Sequence, residues 1–213
     1  MSLTLPKIYP ITDTVLSGLS HRDQVEQLIA GGASIIQLRE KQIAPRDFLN
    51  DARIATNLAH AAQVKIIIND RVDIAMAIGA DGVHLGQTDM PVEAARRLLG
   101  DAAIVGFSTH NPHQVESALR LPIDYLAFGP IFATKTKQNP DSVVGMELLR
   151  EVKTRAGSIP LIAIGGITSQ TVQPVLTAGV DAVAVISALY SDKDSIAKNL
   201  RKLDEIAERL LTH

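Results

Sequence analysis

The sequence predicts an α/β protein, a (β/α)8 TIM barrel that forms a single domain over residues 1–213. Short apolar runs alternate regularly with amphipathic segments along the chain. Most of these runs are nearly continuous in Ile, Val, Leu and Ala, as in parallel strands that are buried on both faces. Eight strand–helix units fit into 213 residues, about the length that such a barrel needs. A doubly wound open sheet is the alternative, but it seldom has eight regular units in so short a chain.

The predicted strands are the apolar runs, taken in chain order. The third, "KIIIN", and the eighth, "AVAVI", show the typical composition. Both are rich in β-branched or small aliphatic residues, and both lead directly into a polar side chain. The strands predicted on this basis span residues 7–12, 34–38, 65–69, 82–85, 103–107, 125–129, 160–164 and 182–186.

Helical patterns fill the intervals between these strands. Pro45, Pro91 and Pro112 lie near helix starts, where proline is tolerated because its missing N–H has no partner there anyway. Glycines such as Gly31 and Gly79 lie just past helix ends, where they commonly form the cap. The predicted helices span residues 21–30, 45–61, 72–78, 92–99, 112–119, 146–155, 169–178 and 195–211.

Composition and charge are those of a soluble globular protein, with 46% apolar and 21% charged residues. A net charge of −2 provides no attraction for nucleic acid or an anionic membrane. The absence of Cys excludes disulfides, thiolate metal sites and a Cys nucleophile. No signal peptide is recognisable, and no apolar run approaches the roughly 20 residues of a membrane-spanning helix. We therefore expect a cytoplasmic protein that acts on small molecules, without nucleic acid or membrane partners; a homo-oligomer stays compatible with the sequence.

Polar side chains follow almost every predicted strand directly. In a barrel the carboxyl ends of the strands meet at one rim, the C-terminal rim, where catalytic residues lie. The opposite junctions, from helix to strand, are mostly Gly, Ala and Ser. Solvated loops explain single polar residues but not this regularity, so we expect a functional rim. The residues that follow the eight strands include, in order, Asp13, Arg39, Asp70, Gln87, Ser108, the segment 129–142, Gly165 and Ser187.

Asp70 and Asp89 place two carboxylates after neighbouring strands. Facing carboxylates repel each other unless one is protonated or a cation lies between them. Mg²⁺ typically takes one or two carboxylates together with water and phosphate oxygens, so the pair predicts a magnesium site. The alternative for each is a helix N-cap, since each precedes a predicted helix and Asp is a good capping residue.

The other rim groups suit anions. Gly165 and Gly166 end the seventh strand and Ser187 follows the eighth, the place of the common barrel phosphate site. A long loop after the sixth strand carries "TKTK" at 134–137 and is expected to act as a lid. No candidate nucleophile or general base stands out. His84 lies within a predicted strand, where a structural role and a catalytic role are equally expected. The pattern indicates a metal-bound diphosphate and a separate monophosphate.

Seven motifs occur along the chain in this order: "QLREK", "INDRVDIA", "GADGVHLGQTDMP", "GFSTHN", "FGPIFATKTK", "IAIGGI" and "VAVISAL". Through these motifs the chain resembles the thiamine-phosphate synthase family over nearly its whole length. The resemblance implies a (β/α)8 barrel and a Mg²⁺-dependent transferase. Its reaction would join 4-amino-2-methyl-5-hydroxymethylpyrimidine diphosphate to 4-methyl-5-(2-phosphoethyl)thiazole, or the 2-carboxy form of that thiazole, with release of diphosphate.

The resemblance also assigns residue roles. Its Mg²⁺ ligands are Asp70 and Asp89. Its catalytic residues are Arg39, Lys41, Ser108 and Lys137. The contacts to the pyrimidine diphosphate are Gln37, Leu38, Arg39, Glu40, Lys41, Asn69, Ser108 and Lys137. The contacts to the thiazole phosphate are Thr134, Lys135, Thr136, Gly166, Ile186 and Ser187.

One departure from the family pattern and two rival functions remain. The family loop usually has Pro where this chain has Ala133, which predicts altered ordering of the lid. A non-transferase relative on the same barrel, a thiazole tautomerase or a ligand-binding regulator, is one rival. It would have little use for the full diphosphate set of carboxylates and cations. A phosphate-handling isomerase or epimerase is the other, and it would need a base at the rim and no metal.

Overall fold

Eight parallel strands form a closed barrel in the computed structural model, which describes residues 3–134, 136, 141–190 and 195–209. Each strand pairs with the next along the chain, and the eighth pairs with the first. The predicted fold class is confirmed. The strands are β1 (Ile8–Asp13), β2 (Ile35–Arg39), β3 (Lys65–Asn69), β4 (Gly82–Leu85), β5 (Ile104–Thr109), β6 (Tyr125–Phe128), β7 (Leu161–Ile164) and β8 (Ala182–Val185).

Helices surround the barrel, and most follow the predicted bounds within a few residues. No helix in the part of the chain that the structure describes is long and apolar enough to cross a membrane. The helices are α1 (Thr14–Ser17), α2 (His21–Ala30), α3 (Pro45–Ala61), α4 (Val72–Ile78), α5 (Val92–Leu99), α6 (Pro112–Ala118), α7 (Gly145–Ala156), α8 (Val172–Thr177) and α9 (Ile196–Glu208), with a 3₁₀ turn at Ser187–Leu189.

The sequence did not predict α1, which lies on the C-terminal rim directly after β1. Asp13 caps it, since one carboxylate oxygen accepts the N–H groups of Val15 and Leu16 at 3.1 and 3.0 Å. Gly18, in the left-handed conformation, ends it by donating to Thr14 O. Four residues are too few to show helical periodicity, so the capping contacts are what define this helix.

The strands divide the apolar residues into two clusters. Leu38, Ile66, Ile68 and Val83 belong to the larger cluster, between the barrel and its helices. The smaller cluster fills the barrel interior and includes Tyr9, Ile11, Ile35, Ile67, Tyr125 and Ile162. Because side chains alternate along a strand, residues two apart share a face. Position within each strand therefore decides which side chains reach the mouth of the barrel.

The N-terminal end of the barrel carries charges that the sequence analysis overlooked. Asp81, Asp124 and Asp181, the residues before β4, β6 and β8, each accept one strand N–H of the preceding strand at 2.7 to 2.8 Å. Each also pairs with a cationic or imidazole group: His60, Arg96 and Lys153, respectively. The helix-to-strand junctions therefore also contain carboxylates with a structural role, because each one connects two neighbouring strands.

Asp204 on α9 gives a stability prediction. Burial, and secondly the charge of Glu208, raise the pKa of this half-buried carboxyl to about 6. A carboxyl whose pKa is raised on folding costs stability as the pH rises from its unfolded value, near 4, through 6. Asp204→Asn should therefore add about 1 kcal/mol to the free energy of unfolding at pH 8, after allowance for solvent screening, and little at pH 4.

Urea unfolding at the two pH values measures this difference. Glu208→Gln is the matched control, and it should give a smaller gain with the same pH dependence, because it removes only the secondary cause. An equal gain from Asp204→Asn at both pH values would contradict the prediction.

Candidate active site

A cavity of about 450 Å³ opens at the C-terminal rim, and residues from all eight strands line it. This volume is typical of small-molecule sites. The predicted site residues that line it are Gln37, Arg39, Lys41, Asn69, Asp70, Asp89, Ser108, Thr134, Thr136, Gly166, Ile186 and Ser187. The loops after separate strands thus bring together most of the residues that the sequence singled out. Lys135 and Lys137 lie outside the described residues.

Asp70 and Asp89 do not serve as helix N-caps. The N-cap positions of α4 and α5 are Arg71 and Pro91, and neither helix has a side-chain cap. Asp70 has a positive φ of 63°, which Asp tolerates better than most residues, and its backbone N–H donates to His84 O. Asp89 instead accepts the Gly86 N–H at 2.7 Å and so closes the turn after β4.

The two carboxylates face each other at the cavity. Burial, together with the neighbouring Asp70 carboxylate, raises the pKa of Asp89, against the opposing effect of the Gly86 N–H. In the described residues, no cluster of three or more Asp, Glu, His or Cys side chains could hold a metal ion. A pair of carboxylates beside open cavity is the donor set that Mg²⁺ uses when water and phosphate oxygens complete its shell. The residues present therefore fit a magnesium ion.

Arg39 and Lys41, two of the predicted phosphate-binding cations, each pair with a carboxylate. Arg39 Nη1 donates to Asp13 Oδ2 at 2.7 Å, and both side chains are largely buried. Lys41 Nζ contacts Asp70 Oδ2 and is about half exposed. Each cation lines the cavity. Each can therefore bind an anion in the cavity, either beside its carboxylate partner or in place of it.

Leu38 and Glu40 do not line this cavity. Leu38 alternates with Gln37 and Arg39, so its side chain packs in the cluster between the barrel and the helices. Glu40 turns the same way and is buried behind the rim, with 3% of its side chain exposed. The prediction that these two residues contact the pyrimidine diphosphate stays a prediction, and in this structure neither side chain lies at the cavity.

The ionisation of Glu40 is set by its hydrogen bonds. Burial by itself raises the pKa of this carboxyl, but the N–H groups of Gln42, Ile43 and Lys41 and the Thr14 hydroxyl outweigh it and lower the pKa below its usual value. The group is thus a carboxylate at neutral pH.

A chain of hydrogen bonds crosses the floor of the cavity. Tyr9 Oη lies 2.9 Å from Tyr125 Oη, and Tyr125 Oη lies 2.9 Å from His84 Nδ1. His84 Nε2 in turn lies 2.7 Å from Ser108 Oγ, and Gln37 Nε2 donates to Tyr9 Oη at 3.5 Å. Burial lowers the pKa of His84 to about 4 and raises that of Tyr9 to about 12, so the floor is polar and uncharged at neutral pH.

Sequence reasoning missed the two tyrosines of this floor and left the role of His84 open. Tyr9 shares the strand face of Ile11, a residue of the interior cluster, and this alternation was the available signal. Gly106 makes room for Tyr125, because a Cβ there would lie 2.0 Å from the Tyr125 ring.

His110 lies between β5 and α6 and lines the cavity. Its Nδ1 lies 2.7 Å from Gly129 O and donates to that carbonyl. Because Gly129 begins the loop after β6, this contact joins the ends of two neighbouring strands at the rim.

The seventh and eighth strand ends form the opposite wall of the cavity. Gly165 O accepts the Phe132 N–H at 3.0 Å, which ties the loop after β6 across the end of β7. Gly166 has a φ of 65°, and a Cβ at this position would lie 2.5 Å from Ala133 O. The backbone of this wall therefore approaches the loop as closely as glycine allows.

Comparisons of sequence and of structure with known proteins all find thiamine-phosphate synthases. A family model described as thiamine monophosphate synthase matches residues 8–189. A thiamine-phosphate synthase from Clostridium novyi (strain NT) is 45% identical over 189 residues, which cover 88% of this chain and 92% of the relative. One from Chloroflexus aurantiacus (strain ATCC 29366 / DSM 635 / J-10-fl) is 43% identical over 205 residues, covering 95% and 94%. A solved structure of thiamine phosphate pyrophosphorylase from Pyrococcus furiosus superposes with a TM-score of 0.85 at 35% identity and 96% coverage of both chains.

Proposed function

The chain belongs to the thiamine monophosphate synthase family, and we propose from this premise that its C-terminal rim joins a pyrimidinylmethyl diphosphate to a thiazole phosphate. It is a transferase of thiamine biosynthesis with the activity of a thiamine-phosphate synthase. The observation that supports the substrate assignment is that one cavity brings together the Asp70–Asp89 pair, the cations Arg39 and Lys41, and the Gly165-Gly166 backbone. These groups suit a metal-bound diphosphate on one side and a monophosphate on the other.

In this proposal Asp70 and Asp89 hold Mg²⁺ at the diphosphate. When bound, Mg²⁺ supplies positive charge that stabilises the departing diphosphate. Arg39 and Lys41 donate to the phosphate oxygens, and the Ser108 hydroxyl adds a neutral donor from the floor. Lys137, outside the described residues, would complete the set of cations.

The reaction we propose is a dissociative substitution. The C–O bond between the pyrimidine methylene and the diphosphate breaks, and its electron pair leaves with the diphosphate. The lone pair of the thiazole nitrogen then forms the new C–N bond to the methylene carbon. Because no proton is transferred, the site needs no general base. Its task is to hold the two substrates close and to stabilise charge.

The direct test is product formation. Purified protein supplied with both substrates and Mg²⁺ should form thiamine phosphate and release diphosphate in equal amounts. Binding of the thiazole phosphate without binding of the pyrimidine diphosphate would favour the non-transferase alternative. Isomerisation of another phosphate substrate, continuing when a chelator removes the metal, would instead favour a phosphate-handling isomerase.

Gly166 gives a prediction for the thiazole-phosphate side. Gly166→Ala should raise the KM for the thiazole phosphate about tenfold, because the new Cβ forces Ala133 and the loop after β6 away from the wall. The KM for the pyrimidine diphosphate should change much less.

Gly157→Ala is the matched control for this substitution. Gly157 also has a positive φ, 58°, but a Cβ there would meet nothing within 4 Å. Because of backbone strain, the control should lower the free energy of unfolding by about 1 kcal/mol, as Gly166→Ala does, but it should keep wild-type kinetics. Equal kinetic effects of the two variants would argue against the assignment of Gly166.

A further inference from the structure

Glu40 is a buried carboxylate that accepts five hydrogen bonds, all from the protein. Its Oε1 accepts three consecutive backbone N–H groups, those of Lys41, Gln42 and Ile43, at 2.7, 2.6 and 3.2 Å. Its Oε2 lies 2.8 Å from Thr14 Oγ1 and 3.3 Å from His21 Nε2. A carboxylate bound in this way has little capacity left for a ligand.

The direction of the two hydrogen bonds at Glu40 Oε2 follows from the chemistry of the groups. A carboxylate only accepts, so the Thr14 hydroxyl and His21 Nε2–H must both donate to it. Burial lowers the pKa of His21, so its ring is neutral and its Nδ1 accepts from the Thr12 hydroxyl at 2.8 Å. Glu40 therefore joins α1, through Thr14, and α2, through His21, to the start of the loop after β2.

That loop begins with Lys41. The backbone N–H of Lys41 is held by Glu40, while its side chain reaches Asp70 at the cavity. With no carboxylate at position 40, three adjacent N–H groups would lose their common acceptor, and the loop would lose the contact that fixes its first residues. The position of the Lys41 ammonium thus depends on a side chain that points away from it.

We propose that Glu40 is a positioning residue that acts through Lys41: it sets the loop so that the ammonium group meets the diphosphate. The proposal deepens the proposed function and rests on it for the identity of the anion. It replaces the expectation that Glu40 itself touches the pyrimidine diphosphate. Glu40 takes no part in the transfer and makes no contact with the substrate.

Two substitutions separate geometry from charge. Glu40→Gln removes the charge but keeps an oxygen at the three N–H groups, and His21 can accept from the new amide by changing tautomer. Glu40→Asp keeps the charge but withdraws it by one methylene. We expect Glu40→Gln to bind inorganic diphosphate with Mg²⁺ within about threefold of wild type, and Glu40→Asp to bind it about tenfold more weakly. A direct role predicts other results. A carboxylate that repels the diphosphate would make Glu40→Gln bind more tightly than wild type and leave Glu40→Asp near wild type, and a contact to the pyrimidine alone would leave both variants at the wild-type affinity. Either result would overturn the proposal.

A double-mutant cycle tests whether Glu40 acts through Lys41. Glu40→Ala and Lys41→Ala should each weaken diphosphate binding about tenfold, and the double variant should be no weaker than Lys41→Ala by more than about twofold. A loss of about a hundredfold, the additive result, would overturn the proposal, as would unchanged diphosphate binding in Glu40→Ala. Should Glu40→Ala fail to fold, the expected tenfold loss in Glu40→Asp still decides, because charge repulsion and a pyrimidine contact both predict no such loss.

Calorimetry with inorganic diphosphate needs no turnover, so the two proposals fail separately. Wild type that forms no thiamine phosphate would contradict the proposed function, whatever the Glu40 variants do. Wild type that turns over while Glu40→Asp binds diphosphate normally would contradict only the role of Glu40. In the folded variants, the KM for the thiazole phosphate should stay within about twofold of wild type, which a general loss of structure would not allow.

Discussion

Replacing Asp89 by Asn is expected to lower turnover about 10³-fold at millimolar Mg²⁺, and replacing Asp70 by Asn should have a comparable effect. Each change removes one of two carboxylates that face each other at the cavity, and with it much of the charge that would hold the metal. A metal ion contributes several kcal/mol of charge stabilisation, and about 1.4 kcal/mol corresponds to a tenfold change in rate. Steady-state turnover as a function of Mg²⁺ concentration measures the loss.

The matched control is Asp73→Asn. Asp73 lies one turn further along the chain and pairs with Arg71 at an exposed position, and it does not line the cavity. It should keep turnover within about twofold and shift stability by less than about 1 kcal/mol. If Asp70→Asn or Asp89→Asn kept wild-type activity at low Mg²⁺, that residue would not be a metal ligand.

Much of the fold could be predicted because local sequence and tertiary structure agree. The run "KIIIN" is apolar on both faces and forms β3 with its predicted bounds, Lys65–Asn69. Helix α3, Pro45–Ala61, likewise begins at a proline and ends where predicted. Helix α1 could not be predicted, because four residues show no period and the helix depends on side-chain contacts from Asp13.

The location of the site at the C-terminal rim could be predicted more readily than the contacts that its side chains make. Asp70 and Asp89 stand out as carboxylates after apolar strands, whereas Tyr9 and Tyr125 look like core residues in sequence. Strand alternation indicates where the Leu38 side chain lies, because Gln37 faces the cavity and its neighbour must face away. No sequence signal indicates that Glu40 would accept three backbone N–H groups, since that depends on the path of the loop.

The other large effect is expected at Arg39. Arg39→Met should lower kcat/KM for the pyrimidine diphosphate about 10³-fold, for two reasons. The change removes a guanidinium group that can bind phosphate oxygens in pairs, and it leaves the Asp13 carboxylate without a cationic partner, so that its charge repels the incoming diphosphate. Because the Asp13 side chain is largely buried, the same change should cost about 2 kcal/mol of stability. Steady-state kinetics and urea unfolding measure the two effects.

Two further variants divide the loss between these causes. Arg39→Lys keeps a charge for Asp13 but not the paired geometry, so it should lose about 10- to 30-fold in kcat/KM and little stability. Adding Asp13→Asn to Arg39→Met removes the repulsion while the amide oxygen still accepts the N–H groups of α1, and it should recover about tenfold. If Arg39→Lys matched wild type, the guanidinium geometry would be irrelevant. If the double variant recovered nothing, Asp13 would only cap α1, and the whole effect of Arg39→Met would come from the lost contacts to phosphate.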